Sequence, residues 1–591
     1  MNLKSTLVFT VILGTFATAG VRADQPVLSD AEKVKFQWGV KIPVRDGVKL
    51  NATVYTPKEQ KEPAPCVFTL TPYIAQSYHD RGVYFAAHGY PFLTVDVRGR
   101  GNSEGEFRPL IQEARDGHDV VEWLAQQPYC NGQVTMWGGS YAGYDQWAAA
   151  KEFPPHLATI VPVASPHAGT DFPMRANIAA PYLMQWLTFT SGKASQANIF
   201  GDAAFWATLN REWFESGKAF KEFDTLIGNP SQTFQEWLAH PQVDEYWDSY
   251  NPTAGQYAKL SLPILTITGS YDGDQLGALE HYRQHMKHGN AEAKARHYLV
   301  IGPWDHAGTR TPQAQVGGLT FGPASLVDLP KLHLDWYAWT MQGGKKPEFL
   351  QKRVAYYVMD ADKWRYADTL EGITAGSRSY FLDSNGTAAD VLASGSLGVS
   401  PGKGKPDQYV YDPRDLSIAE VERDWDPSSL TDQRTIYAQQ GKVLVYHTAP
   451  FERDTEISGF FKLSAWLAID RPDTDFAVSV YEIRPDASSV LLTNDQKRAR
   501  HRESARQAKL VTTGEPLKYE FDSFMFTSRM VRKGSRLRLV IGPANSTYSQ
   551  KNFNSGGDVS SETLSDARPV TVKLYHDRSH PSTLFVPIAQ P

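Results

Sequence analysis

Short apolar runs rich in β-branched residues alternate with helix-compatible segments up to about residue 310 of the chain. The runs are APCVFTLTPY, YPFLTVDVRGRG, GQVTMWGGS, LATIVPVAS, LPILTITGSYDG and ARHYLVIGPWDH. Such runs are typical of parallel strands that are buried on both faces, with the intervening helices covering the sheet. The alternation therefore predicts an α/β fold built on a central parallel sheet.

Two segments break this alternation and divide the chain. Residues 167–255 are aromatic-rich and helical in pattern, which indicates a helical cap inserted into the sheet domain. From residue 351 onward, short strands separated by turn signals indicate an all-β domain, which we expect to be a jelly roll. With 591 residues the chain is too long for one core. The predicted division is a core at 24–166 and 256–350, a cap at 167–255 and a β domain at 351–591.

The first residues have the layout of a secretory signal peptide. Lys4 precedes an apolar run from Leu7 to Phe16, and small residues flank Arg22 at a cleavage site that ends at Ala23. The run is too short to span a bilayer, and no later stretch is long enough to do so. We expect residues 1–23 to be removed and the mature protein to be periplasmic or secreted.

Charge argues against a nucleic-acid partner. The formal net charge is −5, and no basic stripe or basic–aromatic interleaving occurs along the chain. The sequence leaves the oligomeric state open, so a homo-oligomer remains one of the alternatives.

The segment MWGGSYAGYDQWAAA, at positions 136–150, places Ser140 where a strand-like run meets a helix-like one. A serine nucleophile in an α/β sheet sits on such a sharp turn between small neighbours. The pattern departs from G-x-S-x-G at Ala142, which is still small enough for the turn. We interpret Ser140 as a candidate nucleophile; the alternative is a structural Gly-rich loop.

A serine nucleophile needs a base and an orienting acid. Asp272 follows the strand-like LTITGSY, with Asp274 as its rival, and His306 follows LVIGPWD. A lone histidine after a strand is usually a loop residue. The order serine, acid, histidine at successive strand ends is that of α/β-hydrolases, and this coincidence favours a catalytic set.

The motif Gly-x-Ser-Tyr-x-Gly around Ser140 resembles the nucleophile turn of the X-Pro dipeptidyl-peptidase-like serine hydrolases. That family includes bacterial cocaine esterase, α-amino acid ester hydrolases and glutaryl-cephalosporin acylases. Further similar stretches are LTPY (70–73), VDVRGRGNSEGEF (95–107), YDG (271–273), IGPWDH (301–306), YVYDP (409–413) and DTDFAVSVYEIRPD (473–486). The resemblance runs from about residue 35 to 575. It implies an α/β-hydrolase core, a helical cap and a C-terminal jelly roll.

The resemblance also implies roles for individual residues. Ser140 matches the nucleophile, Asp272 the acid and His306 the base. Tyr73 matches the tyrosine whose hydroxyl completes the oxyanion hole together with the backbone N–H of Tyr141. The family chemistry implies no cofactor and no metal.

The substrate is less determined by the resemblance. α-Amino acid ester hydrolases hold the substrate ammonium with a carboxylate cluster, of which Asp274 matches one member. Gln275 stands where the family has another carboxylate, and Asp171 is the nearest candidate for a third. Recognition of a free amino group therefore stays open.

The predicted function is cleavage of a small ester or amide substrate through an acyl-enzyme. Alternatives within catalysis are an X-Pro dipeptidyl-peptidase and an α-amino acid ester hydrolase or β-lactam acylase. A non-enzymatic alternative is a surface- or carbohydrate-binding protein on a relic hydrolase core.

Two smaller features of the chain are a histidine-bearing helix and a pair of cysteines. His281, His285 and His288 have zinc-ligand spacing, but without the glutamate of H-E-x-x-H we expect a solvated helix and no metal. The chain has two cysteines, Cys66 and Cys130. In an α/β-hydrolase sheet their strands are neighbours, and we hypothesise that they form a disulfide after export, with two free thiols as the alternative.

Overall fold

The computed structural model describes residues 30–589. The predicted signal peptide, residues 1–23, lies outside this range. Within 30–589, no helix combines the length and apolar character that crossing a membrane requires.

The first part of the core follows the predicted alternation of strands and helices. Its strands are β1 (Val34–Pro43), β2 (Lys49–Pro57), β3 (Ala64–Thr71), β4 (Phe92–Asp96), β5 (Cys130–Gly139) and β6 (Leu157–Val163). Its helices are α1 (His79–Ala87), α2 (Glu113–Ala125) and α3 (Tyr141–Ala150). Strand β4 is buried at every position and β3 at all but the first, as the continuous apolar runs predict.

The cap lies between β6 and the next core strand. It contains β7 (Met174–Arg175), β8 (Ile178–Ala179), α4 (Tyr182–Phe189), α5 (Ala197–Phe200), α6 (Ala203–Ser216), α7 (Phe223–Leu226), α8 (Gln232–Leu238), α9 (Glu245–Asp248) and α10 (Ala254–Lys259). Its large aromatic residues, among them Trp186, Trp213, Trp237 and Trp247, pack into one core cluster. The aromatic richness of the cap therefore serves mainly to build a core between short helices.

The second part of the core completes a ten-stranded sheet. It contains β9 (Ile264–Tyr271), α11 (Gln275–His288), α12 (Ala291–Ala295), β10 (His297–Asp305), β11 (Gln315–Val316), β12 (Leu319–Thr320), α13 (Leu329–Met341), β13 (Val354–Val358) and β14 (Lys363–Ala367). The strand order is β1-β2-β4-β3-β5-β6-β9-β10-β13-β14. All pairs from β4 to β13 are parallel, so these strands end at the same edge.

The core sheet extends past the domain boundary that the sequence predicted at residues 350 and 351. The stretch RVAYYVMD, assigned to the β domain, forms β13, which pairs with β10 in the register Leu299↔Val354. All residues of β13 are buried. The sequence of a short apolar strand does not indicate which of two sheets the strand will join. The pairing is determined only when the strands come together in the folded chain.

The C-terminal domain is all-β apart from two short α-helices and a few single-turn 3₁₀ helices, as predicted. Its strands are β15 (Thr374–Asp383), β16 (Gly395–Gly398), β17 (Asp407–Tyr411), β18 (Leu444–Thr448), β19 (Thr455–Gly459), β20 (Lys462–Ile469), β21 (Asp475–Ile483), β22 (Ser489–Arg498), β23 (Leu517–Phe521), β24 (Thr527–Val531), β25 (Arg536–Pro543), β26 (Val570–Tyr575) and β27 (Thr583–Ala589), and its helices are α14 (Ser417–Glu422) and α15 (Arg434–Tyr437). Strand β21 alternates buried with half-buried positions over most of its length, the pattern of a strand with one face on a core.

A buried arginine joins the β domain to the cap. The Arg498 guanidinium pairs with Asp475 at 2.9 Å and donates a hydrogen bond to the backbone oxygen of Asn177 at 2.8 Å. Because both members of the ion pair are buried, removing one would leave the other charge unpaired. The pair therefore fixes the cap against the β domain.

The histidine-bearing helix α11 is not the solvated helix that its sequence suggested. His281 and His285 are fully buried. The ring of His281 bonds to the hydroxyl of Tyr257 at 2.7 Å, and that of His285 bonds to His297 at 2.9 Å. These side chains can be buried because Tyr257 and His297, on neighbouring elements, satisfy their hydrogen bonds. Helical periodicity in the sequence does not show which partners will lie nearby after folding.

The two cysteines lie on neighbouring strands, β3 and β5, as predicted. Ala64 pairs with Cys130 in the register, and Cys66 follows two positions later on the same strand. Both are buried free thiols, and each donates to a backbone oxygen, Cys66 to Ala64 O at 3.7 Å and Cys130 to Gln133 O at 3.8 Å. Burial raises the pKa of Cys66 well above its usual value, whereas the nearby Cys66 thiol lowers the pKa of Cys130.

We predict that these thiols oxidise to a disulfide in an oxidising environment. A bridge closing this loop would stabilise the fold by about 4 kcal/mol in the chain-entropy account. Thiol titration of the non-reduced, denatured protein should find no free thiol, and the reduced protein serves as the control. Two titratable thiols before reduction would contradict the prediction.

Candidate active site

Ser140 occupies a strained turn between β5 and α3. Its backbone is left-handed, with φ 62° and ψ −128°, a conformation that non-glycine residues rarely adopt. Its N–H bonds to Val163 O at 3.0 Å, while its own carbonyl accepts from the N–H of Gly143 at 2.8 Å. A Cβ at Gly138 would meet the Cβ of Ala142 at 2.5 Å, so the turn needs glycine there.

The helix that follows Ser140 is held to the sheet by a buried amide. Gln146 donates to Gly138 O at 3.1 Å and Val161 O at 2.8 Å, and it accepts from the N–H of Val161 at 2.8 Å. These bonds tie α3 to both β5 and β6. Hydrogen bonds between α3 and the sheet therefore fix the orientation of the turn.

His306 and Asp272 follow the strands β10 and β9 and meet at the same sheet edge as Ser140. The Nδ1 of His306 lies 2.7 Å from an Asp272 carboxylate oxygen, and the second oxygen accepts from Thr268 at 2.8 Å. Burial raises the pKa of Asp272, but the His306 hydrogen bond and charge more than offset this and lower it overall. Asp272 is therefore ionised, and the imidazole donates through Nδ1, which leaves Nε2 free.

Asp274 lies farther from the imidazole than Asp272. Its carboxylate is 3.8 Å from the His306 Nδ1 and 19% exposed, whereas the Asp272 side chain is fully buried. Burial, together with the charges of Asp171 and Asp272, raises the pKa of Asp274 well above its usual range. Geometry thus favours Asp272 as the partner of the imidazole.

Asp171 forms a second carboxyl group beside Asp274. It accepts hydrogen bonds from the N–H of His167 at 3.0 Å and from the N–H of Gly277 in the first turn of α11. Burial raises the pKa of Asp171 to about 7. The sequence placed Asp171 a few residues from the position expected for such a group, and folding brings its charge close to Asp274.

Gln275 does not face the site. Its amide donates to Gly269 O and Phe526 O, both at 3.0 Å, and accepts from the N–H of Phe526 at 2.6 Å. Its contacts join the core to the β domain, so this position supplies no third polar group for a ligand.

Tyr73 lies two residues beyond β3 and next to Ser140. Its phenol oxygen accepts a hydrogen bond from the indole N–H of Trp186 at 3.1 Å, and its ring stacks on Phe189 at 5.0 Å. Burial raises the pKa of Tyr73 although hydrogen bonds with Trp186 and Ser140 act in the opposite direction, so the phenol stays protonated. Since the oxygen accepts from Trp186, its own proton is available to donate.

Tyr141 is the first residue of α3, so its backbone N–H has no partner within the helix. Its side chain points away from the turn. The hydroxyl donates to the Glu113 carboxyl at 2.5 Å and accepts from the N–H of Leu110 at 2.6 Å. The tyrosine ring therefore anchors the turn, and its backbone N–H directly follows Ser140 in the chain.

Sequence reasoning missed two residues that position Tyr73. Trp186 is one of many aromatic residues in the cap segment, and the sequence carries no signal that singles it out. Arg100, within the quoted VDVRGRG stretch, is fully buried and donates to Pro72 O at 2.8 Å and to Ser191 O at 2.7 Å. It thereby joins the residue before Tyr73 to the end of the first cap helix. An arginine between two glycines directly after a strand was the available signal.

Two family matches cover most of the chain. Residues 46–308 match the X-Pro dipeptidyl-peptidase (S15 family), and residues 348–584 match the X-Pro dipeptidyl-peptidase C-terminal non-catalytic domain. The first match includes the Ser140 turn and both strand ends that carry Asp272 and His306.

Individual proteins resemble the chain over nearly its whole length. A cocaine esterase from Rhodococcus sp. is 26% identical over 580 residues, covering 93% of this chain and 98% of the esterase. An α-amino acid ester hydrolase structure superposes with a TM-score of 0.81 at 20% identity, covering 97% and 100% of the two chains. An aminopeptidase structure from a Thaumarchaeota archaeon gives 0.81 at 20% identity, covering 98% and 100%.

The fold and the family matches agree, since the catalytic-domain match ends just after His306 and the non-catalytic match covers the all-β domain. The chain therefore belongs to the X-Pro dipeptidyl-peptidase-like serine hydrolases, a family of serine esterases and peptidases.

Proposed function

We propose that this protein is an exported serine hydrolase that cleaves ester or amide bonds through an acyl-enzyme. The observation that carries the proposal is the meeting of three strand ends. The strained Ser140 turn lies at the sheet edge where His306 donates to a buried, ionised Asp272 at 2.7 Å. Export rests on the signal-peptide pattern alone.

In this proposal, Ser140 attacks the carbonyl carbon of the substrate. His306 accepts the serine proton through Nε2 and later returns it to the leaving group. Asp272 holds the imidazole in the required tautomer and stabilises its charged form. Water then attacks the acyl-enzyme by the same steps and releases the acid.

The oxyanion that forms during attack needs two hydrogen-bond donors. We assign them to the backbone N–H of Tyr141 and the hydroxyl of Tyr73. The hydrogen bond from Trp186 supports this assignment because it occupies the acceptor side of the phenol and leaves the proton to point at the carbonyl oxygen. A neutral donor of this kind adds no charge to the ground state.

A second, narrower function is hydrolysis of α-amino acid esters or amides. The supporting observation is the pair of carboxyl groups, Asp171 and Asp274, beside the catalytic histidine. An ammonium group placed between them would favour their ionised forms and would orient the adjacent carbonyl toward Ser140. The α-amino acid ester hydrolase and aminopeptidase among the similar structures fit the same idea.

The main proposal is tested by Ser140→Ala. Removing the nucleophile should lower kcat on p-nitrophenyl acetate by roughly 10⁶-fold and abolish labelling by a fluorophosphonate probe. Circular dichroism should show an unchanged fold. A Ser140→Ala variant with activity within a few-fold of wild type would contradict the assignment of Ser140 as the nucleophile. It would favour the alternative of a binding protein on a relic hydrolase core.

Kinetic measurements should distinguish the roles of Asp272 and Asp274. Asp272→Asn should lower kcat by about 10⁴-fold on every substrate because it disturbs the tautomer of His306. Asp274→Asn should leave p-nitrophenyl acetate hydrolysis within about tenfold while raising KM for alanine esters, since it removes an ammonium partner. The matched neutral ester is the internal control. Equal losses of Asp274→Asn on both substrates would contradict the amino-acyl proposal.

The oxyanion assignment predicts graded effects at Tyr73 and Trp186. Tyr73→Phe should lower kcat by about 10²–10³-fold, or roughly 3–4 kcal/mol, with little change in KM, because the bond forms only in the transition state. Trp186→Phe should cost less, since it removes only the group that orients the phenol.

Steady-state kinetics on an activated and an unactivated ester give both values. The double variant should be no slower than Tyr73→Phe, because without the phenol hydroxyl the indole has nothing to orient. Additive losses would mean that Trp186 acts independently of Tyr73.

A further inference from the structure

The β domain contains an open cavity of about 660 Å³ that none of the proposed catalytic residues lines. Its walls come from the neighbouring strands β15, β16, β18, β25 and β21, from the end of α15 and from residues between 384 and 394. The chemistry-bearing residues on these walls are Arg536, Arg538, His447, Tyr437 and Asp383.

Arg538 is a buried cation whose direct partners are neutral. Only 6% of the surface of Arg538 is exposed to solvent. It donates from Nε to the His447 Nε2 at 2.9 Å and from Nη1 to the Gln433 amide oxygen at 2.7 Å. The guanidinium lies 5.9 Å from the centre of the Tyr437 ring. Within residues 30–589, no carboxylate lies within 4.0 Å of it.

His447 cannot supply the missing negative charge or compete as a second cation. Its Nδ1 bonds to the Ser394 hydroxyl at 2.9 Å, so its Nε2 is the acceptor for Arg538. Burial and the charges of Arg538 and Arg536 lower the pKa of His447 to about 4. At neutral pH the imidazole is therefore an uncharged link between Arg538 and the cavity wall.

The other charges on the wall leave the cavity positive. Arg536 is exposed, lies two residues from Arg538 on the same face of β25, and has no ion-pair partner in the part of the chain that the structure describes. Asp383 is the single acidic residue of the lining. Its carboxylate accepts from the N–H of Ser384 at 3.0 Å and lies 3.5 Å from His576.

A buried guanidinium without a counter-ion is costly, and an anion that enters the cavity would remove that cost. Arginine presents a planar set of donors that matches carboxylate and phosphate groups. The bonds to His447 and Gln433 use Nε and Nη1 of Arg538, so the two N–H groups of Nη2 remain available to a ligand. The half-exposed Tyr437 ring and the exposed side chain of Leu392 offer apolar surface for the body of such a ligand.

We propose that this cavity binds a small anionic ligand through a carboxylate or phosphate group that is held by Arg538 and Arg536. Tyr437 contacts the remainder of the ligand. The site is separate from the hydrolytic centre and does not depend on the function proposed for it.

Isothermal titration calorimetry at constant ionic strength tests the site with three probes: D-glucuronate, inorganic phosphate and D-glucose. At least one anion should bind saturably, and glucose, which has the ring of glucuronate without its charge, should not. Tighter binding of glucuronate identifies a carboxylate ligand, and tighter binding of phosphate identifies a phosphate ligand. Failure of both anions to bind at concentrations on the order of 10 mM overturns the proposal. Equal binding of glucose and glucuronate overturns it too.

Matched variants assign the binding to the cavity. Arg536→Gln removes an exposed charge and should weaken anion binding by roughly 10-fold or more. Arg532→Gln removes the same charge outside the cavity and should not change it. Arg538→Gln should abolish binding, and if this variant does not fold, Arg536→Gln and Tyr437→Ala still decide. Ester hydrolysis by Arg536→Gln should equal wild type. Equal effects of Arg536→Gln and Arg532→Gln would overturn the proposal, because binding would then follow net charge alone.

Discussion

The left-handed backbone at Ser140 is the constraint on which the site depends. Such a conformation in a non-glycine residue costs on the order of 1–3 kcal/mol and persists only where the surroundings hold it. Here the turn is held by hydrogen bonds to β6 and α3 and by the close packing of Gly138 against Ala142. The same turn starts α3, so one constraint places both the serine hydroxyl and the N–H of Tyr141.

Asp272, Asp274 and Asp171 lie close together, but their different surroundings shift their pKa values in different directions. Asp272 is buried, yet hydrogen bonds from His306 and Thr268 keep it charged. Asp274 and Asp171 share a site with like charges, and burial and repulsion raise the pKa of each. Distinct environments of this kind allow one group to orient the imidazole while its neighbours remain available for a substrate.

The cap does more than cover the sheet edge. Trp186, on its first helix, bonds to the phenol of Tyr73, and Arg100 joins the strand end before Tyr73 to the residues that follow that helix. Movement of the cap would therefore disturb the proposed oxyanion donor directly. This link offers a physical route by which contacts of the substrate with the cap could influence the rate of the chemical step.

The sequence alone determined the α/β core with its inserted cap and the all-β domain, and it offered Ser140, Asp272 and His306 as candidate site residues, because apolar runs, small turn residues and strand-end positions are local signals. Tyr73 became a candidate through the family resemblance. The sequence could not determine which sheet β13 joins, that His281 and His285 face inward, or that Asp171 meets Asp274. Nor did it show that Trp186 and Arg100 support Tyr73, or that Arg538 is buried without a counter-charge. These features depend on contacts between residues far apart in the chain, and only the packed tertiary structure decides such contacts.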